Sequence, residues 1–340
     1  MTLLDVQNLS VAFNTADGVV KAVRSTSFSV DAGRTLGVVG ESGSGKSVTV
    51  QSLLGLARGA QVTGKALFNG ADLISMKVDD LRRLRGAEIG MVFQDPLTSL
   101  HPHYRIGRQI AEMVLAHEDV SKRVALERAT DLLAMTGIPR PKQRVDDYPH
   151  QFSGGMRQRV VIAMAIALEP ALLIADEPTT ALDVTVQAQI IELIKKLQAE
   201  LNMAVIMITH DLGVVADIAD SVMVMYAGRP VEKADRDTIY YRSHHPYTGG
   251  LLESIPVRGQ RHELRPIPGT PPSLINLPSG CSFHPRCRFV MDRCRTELPP
   301  LMQVDTGVDA HQSACWLPGS GSWWEERQAT VQAAAERSRP

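Results

Sequence analysis

In the first part of the chain the apolar positions fall in short β-branched runs, LLDVQNLSVAF, VKAVRSTSFSV and TLGVVG, separated by the turn-forming NTADG and DAG. Side chains branched at Cβ suit a pleated strand better than a helix, so these runs predict strands, and EIGMVF predicts another. SVTVQSLLGLA, after Lys46, predicts a helix leaving a glycine-rich loop. From 95 to 158 the apolar spacing lengthens to three and four, as in RIGRQIAEMVLAH and KRVALERATDLLAMTG, the period of a helix face. RVVIAMAIALEP predicts a helix that its proline stops. ALLIAD and MAVIMIT have no polar face, the pattern of strands covered on both sides in a parallel sheet. After Tyr240 the helical period fades and proline becomes dense. Two units are therefore expected, 1–240 and 241–340, with no internal repeat.

Composition narrows the classes without choosing one. A chain of 340 residues, 44% apolar and 21% charged, can bury a large core. Its formal net charge of −1 offers no electrostatic footprint for nucleic acid, so no nucleic-acid partner is expected. No apolar run approaches the about 20 residues of a membrane span. MTLLDVQNLSVAF lacks a basic segment followed by an apolar stretch, so no signal peptide is expected. A chain that stays in the cytosol keeps its thiols reduced, which argues against disulfides.

The chemistry concentrates at three places. GESGSGKS fits G-x-x-x-x-G-K-[ST] between a predicted strand and a predicted helix. There Gly40, Glu41, Ser42, Gly43, Ser44 and Gly45 can turn backbone N–H groups toward phosphate oxygens. Lys46 would neutralise the outer phosphates and Ser47 would ligate Mg²⁺. ALLIADEP ends a buried strand in Asp176 and Glu177, at the sheet edge where ligands bind. Asp176 suits a magnesium contact and Glu177 suits activating a water. An acidic pair alone is more often a strand cap; beside the glycine loop it becomes a candidate site. Ser153, Gly154 and Gly155 open a helix upstream of that pair, where they can cap it or bind an anion.

Taken together, GESGSGKS, QFSGGMRQ, LLIADEP, ALD and MITHD resemble the ATPase subunits of ABC transporters over residues 1–235. The resemblance implies an α/β P-loop NTPase with a RecA-like parallel core, an antiparallel β subdomain and a helical signature subdomain at about 95–158. It also implies roles. Ser153, Gly154 and Gly155 match the signature, with Met156 where glutamine is commonest. Asp183 matches the loop that pairs two subunits, His210 the switch histidine, and Gln94 the glutamine that contacts Mg²⁺ and links nucleotide to the transmembrane partner. Phe13 stands where the family stacks an aromatic on adenine, although an apolar strand residue is equally natural there. Glu177, His210, Lys46 and Gln94 would be the catalytic set. ATP would be held between one subunit's glycine loop and the signature of a second ATPase subunit, identical or homologous.

SHHPYTGGLLESIPV, LRPIPGTPPSLINLPSGCSFHPRC and HQSACW are similar to the C-terminal extension of oligopeptide and dipeptide importer ATPases. That resemblance implies two permease subunits, an extracytoplasmic substrate-binding protein and a place on the cytoplasmic face of the membrane. Peptides are the implied cargo, with nickel or another small solute as the alternative. A soluble ABC-type ATPase acting on ribosomes or DNA, and a redox-sensing regulator, are the competing classes. In that family the cysteines are associated with a [4Fe–4S] cluster. The residues themselves leave the occupant open. Cys281, Cys287, Cys294 and Cys315, spaced C-x₅-C-x₆-C-x₂₀-C, are all the thiols in the chain and suit a four-thiolate site. The spacing is looser than zinc's usual pairs, but zinc, or buried thiols without metal, remain alternatives. His284 and His311 could replace a ligand. Trp316, Trp323 and Trp324 lie near the end of the chain, where a disordered tail or a partner contact is expected.

Overall fold

The computed structural model describes residues 1–254, 266–304 and 310–317. In chain order its strands are β1 (Thr2–Thr15), β2 (Gly18–Asp31), β3 (Thr35–Val39), β4 (Ala60–Phe68), β5 (Ala71–Asp72), β6 (Ile89–Val92), β7 (Leu172–Asp176), β8 (Ala204–Thr209), β9 (Ser221–Tyr226), β10 (Arg229–Asp235), β11 (Met302–Gln303) and β12 (Gln312–Ser313).

They form two sheets. The antiparallel one has the order β2-β1-β4-β5 and the other the order β11-β12-β10-β9-β3-β8-β7-β6. In the larger sheet β6, β7, β8, β3 and β9 run parallel, and β10, β12 and β11 continue it antiparallel. Every residue of β3, β7 and β8 is buried, as their unbroken apolar runs predict. Side chains alternate between two cores. Leu173, Ala175, Val205 and Met207 pack with the helices Ile106–Leu115, Lys122–Met135, Gly154–Ala165 and Val184–Leu201. Leu172, Ile174, Ile206 and Ile208 pack with the antiparallel sheet and the helix Lys46–Leu53. The α/β P-loop architecture expected from the sequence is the one observed.

Register then places the chemistry. Val39 lies opposite Thr209, and Asp176 opposite Ile208. The loop after β3, the acidic pair closing β7 and His210 after β8 therefore leave the sheet side by side at its carboxyl edge. A third apolar cluster, containing Val39, Val224, Tyr226, Tyr247 and Phe283, joins the C-terminal segment to the far side of this sheet. No helix among the described residues is long and apolar enough to cross a membrane.

Candidate functional site

The phosphate-loop candidate has a backbone that only glycine permits at two points. Gly40 has φ +154, and a Cβ there would lie 2.2 Å from Met225 O; Gly45 has φ +99, and a Cβ would lie 2.3 Å from Ala22 O. The loop turns directly into the helix Lys46–Leu53. Lys46 is 5% exposed, and its Nζ donates to Gly40 O at 2.7 Å and Glu41 O at 3.0 Å. Burial lowers the Lys46 pKa, while the carboxylates of Glu177, Asp176 and Glu41 act in the opposite direction. Ser44 Oγ is buried and has no hydrogen-bond partner among the described residues. A buried hydroxyl is costly without a partner, which fits a loop built around a ligand.

Across the edge, Ser47 Oγ donates to Asp176 Oδ1 at 2.8 Å. Burial raises the Asp176 pKa, aided by the charge of Glu177 and opposed by the bond from Ser47 and by Lys46. Glu177 has a left-handed backbone, φ +48, and its amide donates to Ile208 O at 2.9 Å. Its carboxylate accepts from Gln94 Nε2 at 3.0 Å and Thr180 Oγ1 at 2.9 Å, with His210 Nδ1 at 3.3 Å. The structure thus gathers Lys46, Ser47, Gln94, Asp176, Glu177 and His210 from separate elements. Thr180 was not singled out from the sequence; only its position three residues after Glu177 could have marked it.

Ser153, Gly154, Gly155 and Asp183 form a second group. Ser153 Oγ accepts from Met156 N at 3.3 Å and Asp183 Oδ1 from Val186 N at 3.0 Å, each capping its helix. Gly155 lets the two helix starts close up, since a Cβ there would lie 2.5 Å from Val186 Cγ1. Among the described residues no hydrogen bond joins this group to the loop. Phe13 is half-buried in β1, opposite Val20 and Ala60, and packs on the core beneath the antiparallel sheet.

Comparison with known proteins bears directly on this geometry. Residues 23–180 match the model of the ABC transporter family, and residues 231–294 match that of the oligopeptide/dipeptide transporter C-terminal region. The chain is 51% identical over 320 residues to the oligopeptide transport ATP-binding protein OppD of Bacillus subtilis, covering 93% of this chain and 88% of that one. The chain belongs to the ABC transporter family. The dipeptide transport ATP-binding protein DppD of Escherichia coli is 49% identical over 321 residues, covering 94% of this chain and 97% of its own. The fold is similar to a dimeric post-hydrolysis state of the ATP-binding cassette MJ0796 bound to ADP and Pi, with TM-score 0.62 and 25% identity over 68% of this chain and 98% of that one. It is also similar to cbiO1 from Clostridium perfringens, with TM-score 0.61 and 28% identity over 71% of this chain and 91% of that one. The resemblance read from the motifs is borne out.

The four cysteines of this family member line one cavity, together with His245, Phe283, His284, Phe289 and Trp316. Burial raises the Cys281 thiol, pushes Cys287 up to about 11 and Cys315 up to about 12, and the neighbouring thiols add to each shift. Among the described residues no group of three or more His, Cys, Asp or Glu is disposed to hold a metal ion. Of the two histidines that could replace a ligand, His284 lines the same cavity and His311 is engaged elsewhere. His284 Nδ1 lies 3.0 Å from Cys281 O, and His311 Nε2 lies 2.8 Å from Glu232 Oε1, both side chains being 0% exposed. Glu232, missed in the sequence, also accepts from the amides of His244 and His245. Trp316 Nε1 donates to Glu297 O at 3.1 Å beneath the Arg293 guanidinium. Trp323 and Trp324 lie outside the described residues.

Proposed function

We propose that the chain is the ATP-binding and ATP-hydrolysing subunit that powers peptide import through an ABC transporter. One observation carries the reading. A glycine loop with a buried lysine and an acidic pair share one sheet edge, in a chain that also has the oligopeptide/dipeptide transporter C-terminal region. In this reading residues 1–240 form the ATPase unit and 241–340 its extension. The loop Gly40–Ser47 binds the triphosphate and Phe13 stacks on the base. The adjacent oxygens of Ser47 and Asp176 form a hard donor pair suited to Mg²⁺. That ion, when bound, neutralises developing phosphate charge. Glu177 takes the proton of the attacking water, held in place by Gln94 and His210. Ser153, Gly154, Gly155 and Asp183 face the ATP of a second ATPase subunit, so that neither subunit alone encloses its nucleotide.

The transporter is completed by two permease subunits and an extracytoplasmic binding protein, with this chain peripheral on the cytoplasmic face. In this reading Cys281, Cys287, Cys294 and Cys315 would have to close further around a [4Fe–4S] cluster to hold it, since as placed they form no metal-holding group. The support is their shared cavity, their thiolate softness and a spacing looser than zinc prefers. Bound there, the cluster would tie together a segment poor in apolar core. Iron analysis of anaerobically purified protein tests it: about four irons per chain are expected, and stoichiometric zinc without iron overturns it. The function itself is tested by purifying the chain from membranes. It should bring two permeases with it, and its ATPase should rise with peptide-loaded binding protein. An ATPase with no permease attached, or one indifferent to peptide, overturns the reading.

A further inference from the structure

We propose that Arg286, in the cysteine-bearing segment, is a positioning residue for the nucleoside triphosphate, because it holds and neutralises the carboxylate of Glu41 inside the phosphate loop. The inference rests on reading Gly40–Ser47 as the ATP loop.

Glu41 puts a negative charge in a loop whose ligand is itself strongly negative. Left alone, that carboxylate repels the triphosphate and competes with it for Lys46. The structure holds it otherwise. Arg286 Nη1 donates to Glu41 Oε2 at 2.6 Å and Nη2 to Oε1 at 2.9 Å, a two-pronged pair. The arginine side chain is 5% exposed and the glutamate 27%, so solvent screens the pair weakly. The guanidinium is itself fixed from behind, with Nε donating to Pro268 O at 2.8 Å and Nη1 to Tyr226 Oη at 3.3 Å. The other end of Glu41 is tied to the same region, its amide donating to Tyr247 Oη at 2.9 Å. Tyr226, Tyr247 and Phe283 pack together in tilted and edge-on contacts, with ring centroids 4.6 to 5.3 Å apart.

Charge counting gives the consequence. Lys46, Glu41 and Arg286 together present one net positive charge at the loop; without Arg286 they present none. Both oxygens of Glu41 are also released to move toward the Lys46 ammonium, which already touches the Glu41 carbonyl at 3.0 Å. The extension thus sets the charge and shape of the phosphate site, and Arg286 immediately precedes Cys287. Order in the cysteine segment and reach of the guanidinium are linked.

The test is equilibrium ATP binding to the full-length chain, with thermal melting as a fold control. Arg286→Gln should raise the Kd for ATP about tenfold. Adding Glu41→Gln in that background should return it to within about twofold of the starting value, since no unpaired carboxylate remains. Arg286→Lys, which keeps the charge but loses the fork, should fall between. ATP binding unchanged in Arg286→Gln overturns the proposal. So does a double variant as weak as the single one, which assigns Arg286 to fold support alone. Should Arg286→Gln fail to fold, Glu41→Gln alone decides: tighter ATP binding supports the proposal, and equal or weaker binding overturns it. Lys46→Ala separates the premise, because a chain that still binds ATP without Lys46 does not use this loop, whatever Arg286 does.

Discussion

The carboxyl edge of the parallel sheet and the cysteine-bearing segment are both held against the same β3–β9 region, by different means. At the edge, β7 and β8 are buried at every position and locked by parallel ladders to their neighbours. The loop and carboxylates ride on that frame. Among its described residues the C-terminal segment offers two strands of two residues each. An apolar cluster joins it to the sheet, and buried charge fixes it further: Glu232 accepts from His244, His245 and His311, and Arg286 reaches Glu41. Apolar burial adds up in many small contributions and tolerates single losses. A buried charge pair tolerates none, because removing one partner strands the other. The frame should therefore yield to mutation gradually, and the docked segment abruptly.

Glu177→Gln sharpens the comparison from the frame side. It keeps the shape but removes the basicity, so hydrolysis should fall roughly 10³-fold while ATP binding and the melting curve persist. Normal turnover would remove Glu177 from the chemistry. On the other side, Glu232→Ala should cost about 3 kcal/mol locally by stranding the groups that point at it. Hydrogen exchange of residues 231–254, 266–304 and 310–317 should accelerate while β7 and β8 stay protected; uniform loss across both would break the distinction. Ser153→Arg places a long cation at a helix start that Ser153 caps. Hydrolysis in the assembled transporter should drop at least about a hundredfold, with ATP binding by the isolated chain retained.

Acid should loosen the docked segment first. Burial lowers the His245 pKa to about 4, so this imidazole stays neutral in the fold. Below about 6.5 the unfolded chain takes up that proton, and stability declines as pH falls toward 4. Burial would raise the Glu232 pKa, but the bonds from His311 and the His244 amide outweigh it and hold it low. Its contribution is therefore complete above the ordinary carboxylate pKa and is lost as pH falls below that value. Limited proteolysis from pH 7 to 4 should cut the C-terminal segment progressively faster and the parallel sheet hardly at all.

What the sequence disclosed follows the same division. ALLIAD and MAVIMIT predict β7 and β8 because burial on both faces leaves an unbroken apolar run, and the glycine loop is legible because backbone geometry restricts its residue types. β4, AQVTGKALF, escaped because its outer positions are polar and a glycine interrupts it. β9 and β10 were passed over between the apolar runs and the proline-rich tail. The Glu41–Arg286 and Glu232–His311 contacts span 245 and 79 positions. No periodicity records such a pairing, since each end is one residue with no local pattern. The four cysteines were legible as a cluster, but not that His311 would belong to Glu232.

In the proposed function Glu177 acts from a left-handed backbone conformation, φ +48, where a side chain costs about 1 kcal/mol relative to glycine. Two screens of one library at position 177 should therefore disagree. Selection for soluble yield should enrich glycine and asparagine, which accept that geometry, and selection for growth on peptides should return glutamate.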